Sequence, residues 1–260
     1  DRIATCRQAL KTNPSYILVE KPLGQSFSQV KQLSDFLATQ NVQASVNLNM
    51  RMYPFIQKLK GDLLTAPQFR GSKSINYQGG TLGIGANGIH YLDLLYFLFD
   101  ADHAELAAGE IEEDLIPSGR GPQFGDFGGW ACFKFYDTAQ QYLGRSLISL
   151  SSTSTVFGGW DIIGSHGRIK LNELEAERVD ILRKPESTLP VNRYAGDYQP
   201  PQISKIESPF LGDLTKNWVE SIIEKNVNLL PSIQQSLKVH QLMFDWLQLS
   251  KSYHDIFPIT

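Results

Sequence analysis

The residues of this chain with most chemistry to offer crowd into one stretch. From Gly79 to Leu94 the sequence reads GGTLGIGANGIHYLDL, setting glycines against an imidazole and a carboxylate. Gly83, Gly85 and Gly88 spell a literal G-x-G-x-x-G, and Asp100 and Asp102 follow where a ribose-binding acid would stand. Such a motif cradles a nucleotide only when a buried parallel strand runs straight into the first glycine and a helix opens near the last. Ser72 to Gln78 is polar at most positions and Gly79 to Leu82 separates it from the motif, so that context fails. The other reading is a helix from Gly88 to Phe99, apolar almost all round and therefore buried, with His90 and Asp93 one turn apart near its start. An imidazole so placed is either a core histidine satisfied by a carbonyl or by Asp93, or a proton acceptor in a reaction. The helix alone favours the core histidine.

Two cations and an amide gather earlier in the chain. Tyr16 to Val19 is an unbroken apolar run of strand length that meets Glu20-Lys21-Pro22, where proline ends ladder pairing and charge appears. Ser26 can cap a helix with Phe27, Val30, Leu33 and Leu37 at helical spacing, ending near Asn41. Val42, Ala44, Val46 and Leu48 then alternate as a strand. Strand, helix and strand make a βαβ unit, whose ligands bind beyond the carboxyl ends of its strands, and Lys21, Asn49 and Arg51 lie at those ends. Taken singly, Lys21 is an ordinary solvated lysine, and Arg51 suits a carboxylate and a phosphate equally well.

The remaining elements must hold these groups. Ile3 to Leu10 suits a short helix stopped at Thr12-Asn13-Pro14, and Pro54 can open another through Phe55, Ile56, Leu59 and Leu63. Beyond the glycine stretch, segments at Ala104 to Glu110, Trp130 to Tyr136, Tyr142 to Leu150, Asp161 to Leu171 and Arg178 to Leu182 follow one another through turns, which predicts an antiparallel sheet. Glu112 to Gly129 and Lys184 to Pro209 read as long polar connections, either functional or disordered. Helices from Asp213, with Leu214, Trp218 and Ile222, and from about Ser232, with Ile233, Leu237, Phe244 and Leu247, close the core.

Composition narrows the partners. With 260 residues, 42% apolar and 20% charged, and a net charge of −3, the chain is an ordinary globule of one or two domains with no footprint for nucleic acid or an anionic membrane. Cys6 and Cys132 lack C-x-x-C spacing, so no disulfide framework or zinc knuckle is implied and a reducing cytoplasm fits. No apolar run approaches the roughly 18 residues of a membrane helix, and the N-terminus has no signal pattern. A metal site from His90, Asp93 and His240 or His254 lacks ligand spacing, and a Ser-His-Asp hydrolase lacks its G-x-S-x-G elbow. The chain opens on Asp1 without a methionine, as a fragment or processed product would.

Glu20-Lys21-Pro22 after a strand, Arg51 and Pro54 after the next, Gly79-Gly80 with Gly88-Ile89-His90-Tyr91-Leu92-Asp93, and Ile162-Ile163-Gly164-Ser165-His166-Gly167-Arg168-Ile169 together resemble the Gfo/Idh/MocA family, that of glucose-fructose oxidoreductase and inositol dehydrogenase. The order and spacing match across most of the chain. The resemblance implies an NAD- or NADP-dependent dehydrogenase of a sugar, inositol or nucleotide sugar. The fold it implies is an α/β remnant of a Rossmann domain in residues 1–50, then an α+β domain in 51–260 with a large open, mainly antiparallel sheet covered by helices on one face. The family's phosphate loop and ribose-binding acid should lie before Asp1, so the chain alone is expected to bind little cofactor. By matching position Lys21 and His90 become the catalytic pair, with Glu20, Lys21, Pro22 and Arg51 toward the cofactor and Lys21, Asn49, Asn87 and His90 toward the substrate. Hydride leaves a carbinol as its hydroxyl proton is taken, and a nearby cation stabilises the alkoxide.

One position departs from that pattern. Many members carry an aspartate four residues before the histidine, and here Ala86 stands there. This keeps open a reading from another class, a non-catalytic binding or oligomerisation module on the same fold. Assembly is also expected: Trp130, Cys132, Phe133, Phe135, Leu147, Ile148 and Leu150 offer more apolar surface than one covered sheet face needs, and the family tends to pair through this sheet. That predicts a homodimer, or a tetramer of dimers, unless the two long connections fold over the open face.

Overall fold

The computed structural model describes residues 2–80, 83–154, 156, 158–190, 197–225 and 227–259. Helix α1 (Arg2–Leu10) leads into β1 (Tyr16–Val19), and α2 (Phe27–Ala38) crosses to β2 (Gln43–Val46). The two strands pair in parallel, Val19 opposite Val46, so the unit read from the sequence forms. Ser26 starts α2 as its N-cap, its hydroxyl accepting from Gln29 N, and Val30, Leu33 and Leu37 face inward. A single 3-10 turn, Asn49–Met52, then joins β2 to α3 (Pro54–Thr65).

The larger body is an eight-stranded sheet with β3 (Lys73–Gly80) near its middle. The other strands are β4 (His103–Pro117), β5 (Gly125–Tyr136), β6 (Tyr142–Ser151), β7 (Gly159–Ile163), β8 (Gly167–Asn172), β9 (Glu177–Leu182) and β10 (Gln202–Lys205). The spatial order is β10-β9-β8-β7-β3-β6-β5-β4, parallel only between β3 and β6. Helices α4 (Ile89–Phe99), α5 (Leu211–Lys225) and α6 (Ile233–Leu247) complete the chain. Phe99 stacks on Phe135 at 4.6 Å and Trp246 meets Phe133 edge-on at 5.8 Å, so α4 and α6 cover one face of the sheet. The fold is thus a short parallel βαβ unit followed by a large, mostly antiparallel sheet backed by helices.

Several expectations need correcting. Ser72 to Gln78 looked too polar for a buried strand, yet β3 runs through it, because only Ile75 and Tyr77 turn into the core while Ser74, Asn76 and Gln78 alternate outward. Glu112 to Gly129 is less a loop than the ends of a long hairpin, with Glu112 opposite Gly128 and Pro117 opposite Gly125. Within Asp161 to Leu171, β7 and β8 fold at Gly164 to His166 as the strand, glycine turn and strand that the resemblance of Ile162 to Ile169 implies. The polar stretch from Lys184 contains edge strand β10, and its residues 191–196 lie outside those described, as do Thr81 and Leu82. Of the apolar set on β5 and β6, Phe133, Phe135, Ile148 and Leu150 turn inward, leaving Trp130 and Leu147 39% and 40% exposed on the open face beside Ile163.

Candidate active site

Lys21 leaves the carboxyl end of β1 in a loop fixed at both ends. Before it, exposed Glu20 accepts from Asn47 Nδ2 at 2.7 Å. After it, the Lys21-Pro22 peptide is cis, Pro22 O accepts from Arg2 Nε at 3.1 Å, and Leu23 N donates to His240 Nε2 at 3.0 Å. His240 comes from α6, whose capping box at Ser232 and Gln235 fixes its start. Its other ring nitrogen donates to Ser236 O at 2.7 Å, so the two bonds define a neutral imidazole with the proton on Nδ1. Burial pushes this ring down to about 4, with Arg2 adding to the effect and the Ser236 carbonyl opposing it.

The glycine stretch forms a π-turn, Ile84–Gly88, that runs directly into α4. Asn87 N and Gly88 N both donate to Gly83 O, at 2.8 and 2.9 Å. The next donors go to Asp126 from β5: Gly85 N reaches Oδ1 at 2.9 Å and Ala86 N reaches Oδ2 at 2.7 Å, while Phe127 N also reaches Oδ1 at 2.8 Å. A carboxylate thereby satisfies amides that a helix start leaves open and meets the positive end of its dipole. The three glycines serve packing. A Cβ at Gly83 would stand 2.1 Å from Asp126, one at Gly85 2.8 Å from Ile259, and one at Gly88 3.0 Å from Leu150. Their faces are closed by side chains of this chain, so this G-x-G-x-x-G has no room for a pyrophosphate.

Lys21 and the π-turn meet. Lys21 Nζ donates to Ala86 O. His90, in the first turn of α4, is 8% exposed, and its Nδ1 is buried with no hydrogen-bond partner among the described residues. Burial pushes its pKa down to about 3, and the Lys21 ammonium lowers it further within that value, so the imidazole is neutral and basic-lone-pair-bearing at neutral pH. Lys21 is itself pushed down, first by burial and then by Arg120, with Glu20 and Asp126 opposing and Arg2 adding a smaller push. Burial pushes the Asp126 carboxyl up, against its three amide bonds and Lys21.

The sequence candidates divide. Lys21 and His90, 69 residues apart in the chain, are near enough for the Lys21 charge to act on the imidazole, Lys21 is bonded to Ala86 O four residues before His90, and half-buried Asn87 is the next residue of the turn. Arg51 goes elsewhere: its guanidinium holds Asp93 through Nε at 2.9 Å and Nη2 at 2.5 Å and lies 5.1 Å over the Phe97 ring. The carboxylate alternative for Arg51 is therefore the contact the fold makes, and Asp93 is its partner and not that of His90. Asn49 opens the same 3-10 turn and is half-buried. Asp126 and His240 were not recognised as site residues. Their partners are backbone amides 40 and 217 residues away, which leave no trace in local spacing.

A neutral, buried imidazole with an unpartnered nitrogen beside an ammonium can accept a proton while the cation stabilises the oxygen that loses it. No family model and no curated protein matches the sequence. Solved structures do match. An oxidoreductase from Agrobacterium radiobacter in complex with NAD+, L-tartaric acid and magnesium superposes with a TM-score of 0.68 over 99% of this chain and 77% of its own, at 15% identity. UDP-N-acetylglucosamine 3-dehydrogenase GnnA from Acidithiobacillus ferrooxidans gives 0.64 over 95% and 75%, at 14% identity. A super-repressor mutant of Gal80p from Saccharomyces cerevisiae gives 0.67 over 95% and 74%, also at 14%. The chain has the fold of these NAD-binding oxidoreductases, the Gfo/Idh/MocA-like fold, which a repressor also carries.

Proposed function

We propose that this chain is the substrate-binding and assembly part of a Gfo/Idh/MocA-type oxidoreductase that moves a hydride between NAD or NADP and a hydroxyl or keto carbon of a sugar, inositol or nucleotide sugar. The observation that supports it most is the buried, unpartnered Nδ1 of His90 beside the Lys21 ammonium. A buried polar atom without a partner is costly, which sets His90 apart from a core histidine satisfied by a carbonyl or by Asp93.

In this reading His90 accepts the proton of the substrate hydroxyl as a neutral base, and Lys21 steadies the negative oxygen. The nicotinamide, when bound, supplies the acceptor for the hydride. Lys21 and Pro22, at the carboxyl end of β1, would face its reacting end, with residues 1–50 belonging in this reading to a dinucleotide-binding domain. The phosphate end needs residues other than the closed glycine stretch, so this chain by itself should bind the cofactor weakly. The test is substrate-dependent reduction of NAD or NADP by the full-length protein, screened over nucleotide sugars and free sugars. Turnover abolished by Lys21→Ala supports the proposal, and absence of any cofactor binding over millimolar concentrations overturns it.

A second reading, a non-catalytic binding module, draws on Ala86. Where a carboxylate would stand, Lys21 meets a main-chain carbonyl, and a repressor shares the fold. Turnover lost in Lys21→Ala would reject it.

A further inference from the structure

Among the described residues, the charged groups that act on Lys21 are Arg120, Glu20, Asp126 and Arg2, and of these Asp126 is the one buried anion. Arg120, from the turn between β4 and β5, and Arg2, from α1, are cations, and the Lys21 charge acts in turn on neutral His90 of α4. Glu20 is exposed and bonded to Asn47. Asp126 is 6% exposed and sits one peptide away: the Ala86 N–H donates to Asp126 Oδ2, and the Ala86 carbonyl receives the Lys21 ammonium. The carboxylate is held as firmly as it holds. Three amides bind its two oxygens, and at Gly83 only a residue without a side chain leaves it room.

Resting on the reading of Lys21 and His90 as the reacting pair, we propose that Asp126 is the positioning residue of the site: its carboxylate fixes the Gly85–Ala86 backbone so that the Ala86 carbonyl seats Lys21 beside His90, and it supplies from β5 the buried anion that Ala86 does not. The order is then anion, peptide, cation, imidazole. Burial already holds the His90 imidazole neutral and the Lys21 charge adds to this, so the anion on β5 acts on His90 only through the place and charge of Lys21. The start of the glycine turn and the Lys21 ammonium thus share one support, and a carboxylate supplies both the amide acceptors and the anion where an uncharged cap would supply only the first.

The test is the titration of Lys21 followed by NMR of its ζ-nitrogen in the intact chain and in Asp126→Asn, which drops the charge and keeps one of the two acceptor oxygens, setting an NH2 in place of the other. The expected result is a lower Lys21 midpoint in Asp126→Asn and its return toward the parent value in Asp126→Asn with Ala86→Asp. A folded Asp126→Asn whose Lys21 midpoint does not move overturns the proposal. Should that variant not fold, the parent protein decides: the Gly85 and Ala86 amide signals and the Lys21 ζ-signal must all follow the midpoint of the Asp126 carboxyl, and a Lys21 signal blind to it overturns the proposal. Turnover is read separately. Its absence in the parent protein would count against the oxidoreductase reading and leaves the titration as the judge of Asp126, whereas turnover with an unmoved Lys21 would reject Asp126 alone.

Discussion

Arg51 and Asp93 face each other as a two-pronged ion pair, 8% and 1% exposed, that bolts the turn after β2 to the second turn of α4. Burial pushes the Asp93 carboxyl up and the guanidinium pulls against it. Removing one member of such a pair strands a charge, at a cost of roughly 3–5 kcal/mol, whereas an apolar pair of similar volume is often tolerated. Asp93→Ala should therefore lose about that much stability to urea, and Arg51→Met with Asp93→Leu should lose less than Asp93→Ala alone. A double variant less stable than Asp93→Ala would show that the pair contributes net stability and is more than a tie.

His240 should make the fold sensitive to mild acid. Its pKa lies near 4 in the folded chain against an ordinary 6.5, so the unfolded chain takes up more protons between those values. Stability is complete above the ordinary value and falls as the pH drops toward the folded one, by about 1.4 kcal/mol for each unit of separation. His240→Gln can still accept from Leu23 N and does not titrate. Urea midpoints measured from pH 7 to pH 4 should fall less steeply in this variant than in the parent, and equal slopes would remove His240 from the account.

Gly83 and Gly61 make a matched pair of alanine substitutions. At Gly83 the new Cβ would stand 2.1 Å from the Asp126 carboxylate, while at Gly61, inside α3, it would meet nothing within 4 Å. Gly83→Ala should cost at least about 1–3 kcal/mol through overpacking, and Gly61→Ala should add roughly 0.5–1 kcal/mol through helix propensity. Thermal melting of the two variants checks both signs.

Trp130, Leu147 and Ile163 share the uncovered face of the sheet, each about two-fifths exposed. An apolar patch of this kind marks an interface, so the chain is expected to form a symmetric dimer, or a tetramer of dimers, through that face. Light scattering should give at least twice 29.2 kDa, and Trp130→Glu with Leu147→Lys should bring it down to that mass. A parent chain that stays at the single mass over a hundredfold dilution from high concentration would refute the dimer.

What could be read from the sequence depended on whether the signal was local. Ser26 and Ser232 announced α2 and α6 because a cap and its partner lie three residues apart. The apolar run Tyr16 to Val19 announced β1 because Ile17 and Val19 pack into one apolar cluster and Tyr16 and Leu18 lie partly covered against another. β3 escaped because Ile75 and Tyr77 are its only large inward side chains, and a polar outer face hides a central strand when no partner is in view. Glu112, Glu113 and Asp114 made a strand look like a loop, although Glu113 binds Ser250 Oγ and Lys251 N across the fold. The candidate site followed the same rule: by type and place His90 read as a core histidine and Lys21 as a solvated lysine, and only the resemblance paired them, while Asp126 acts on backbone that folding brings to it.

The segment from Phe257 to Ile259 threads between three parts of the site. Phe257 N donates to Gln25 O at 2.9 Å, Gln25 Nε2 to Ile259 O at 3.1 Å, and Gly125 N to Pro258 O at 3.0 Å, while Ile259 lies against Gly85. Gln25 and Ile259 are 234 residues apart, so this contact closes one of the longest loops the chain can make, and such contacts come late in folding. On a ribosome the Lys21 loop and the π-turn would both have emerged long before the clasp that joins them. Until residue 259 is free the bonds to Gln25 and Gly125 cannot form, so a nascent chain stalled short of it lacks this clasp over Gly85.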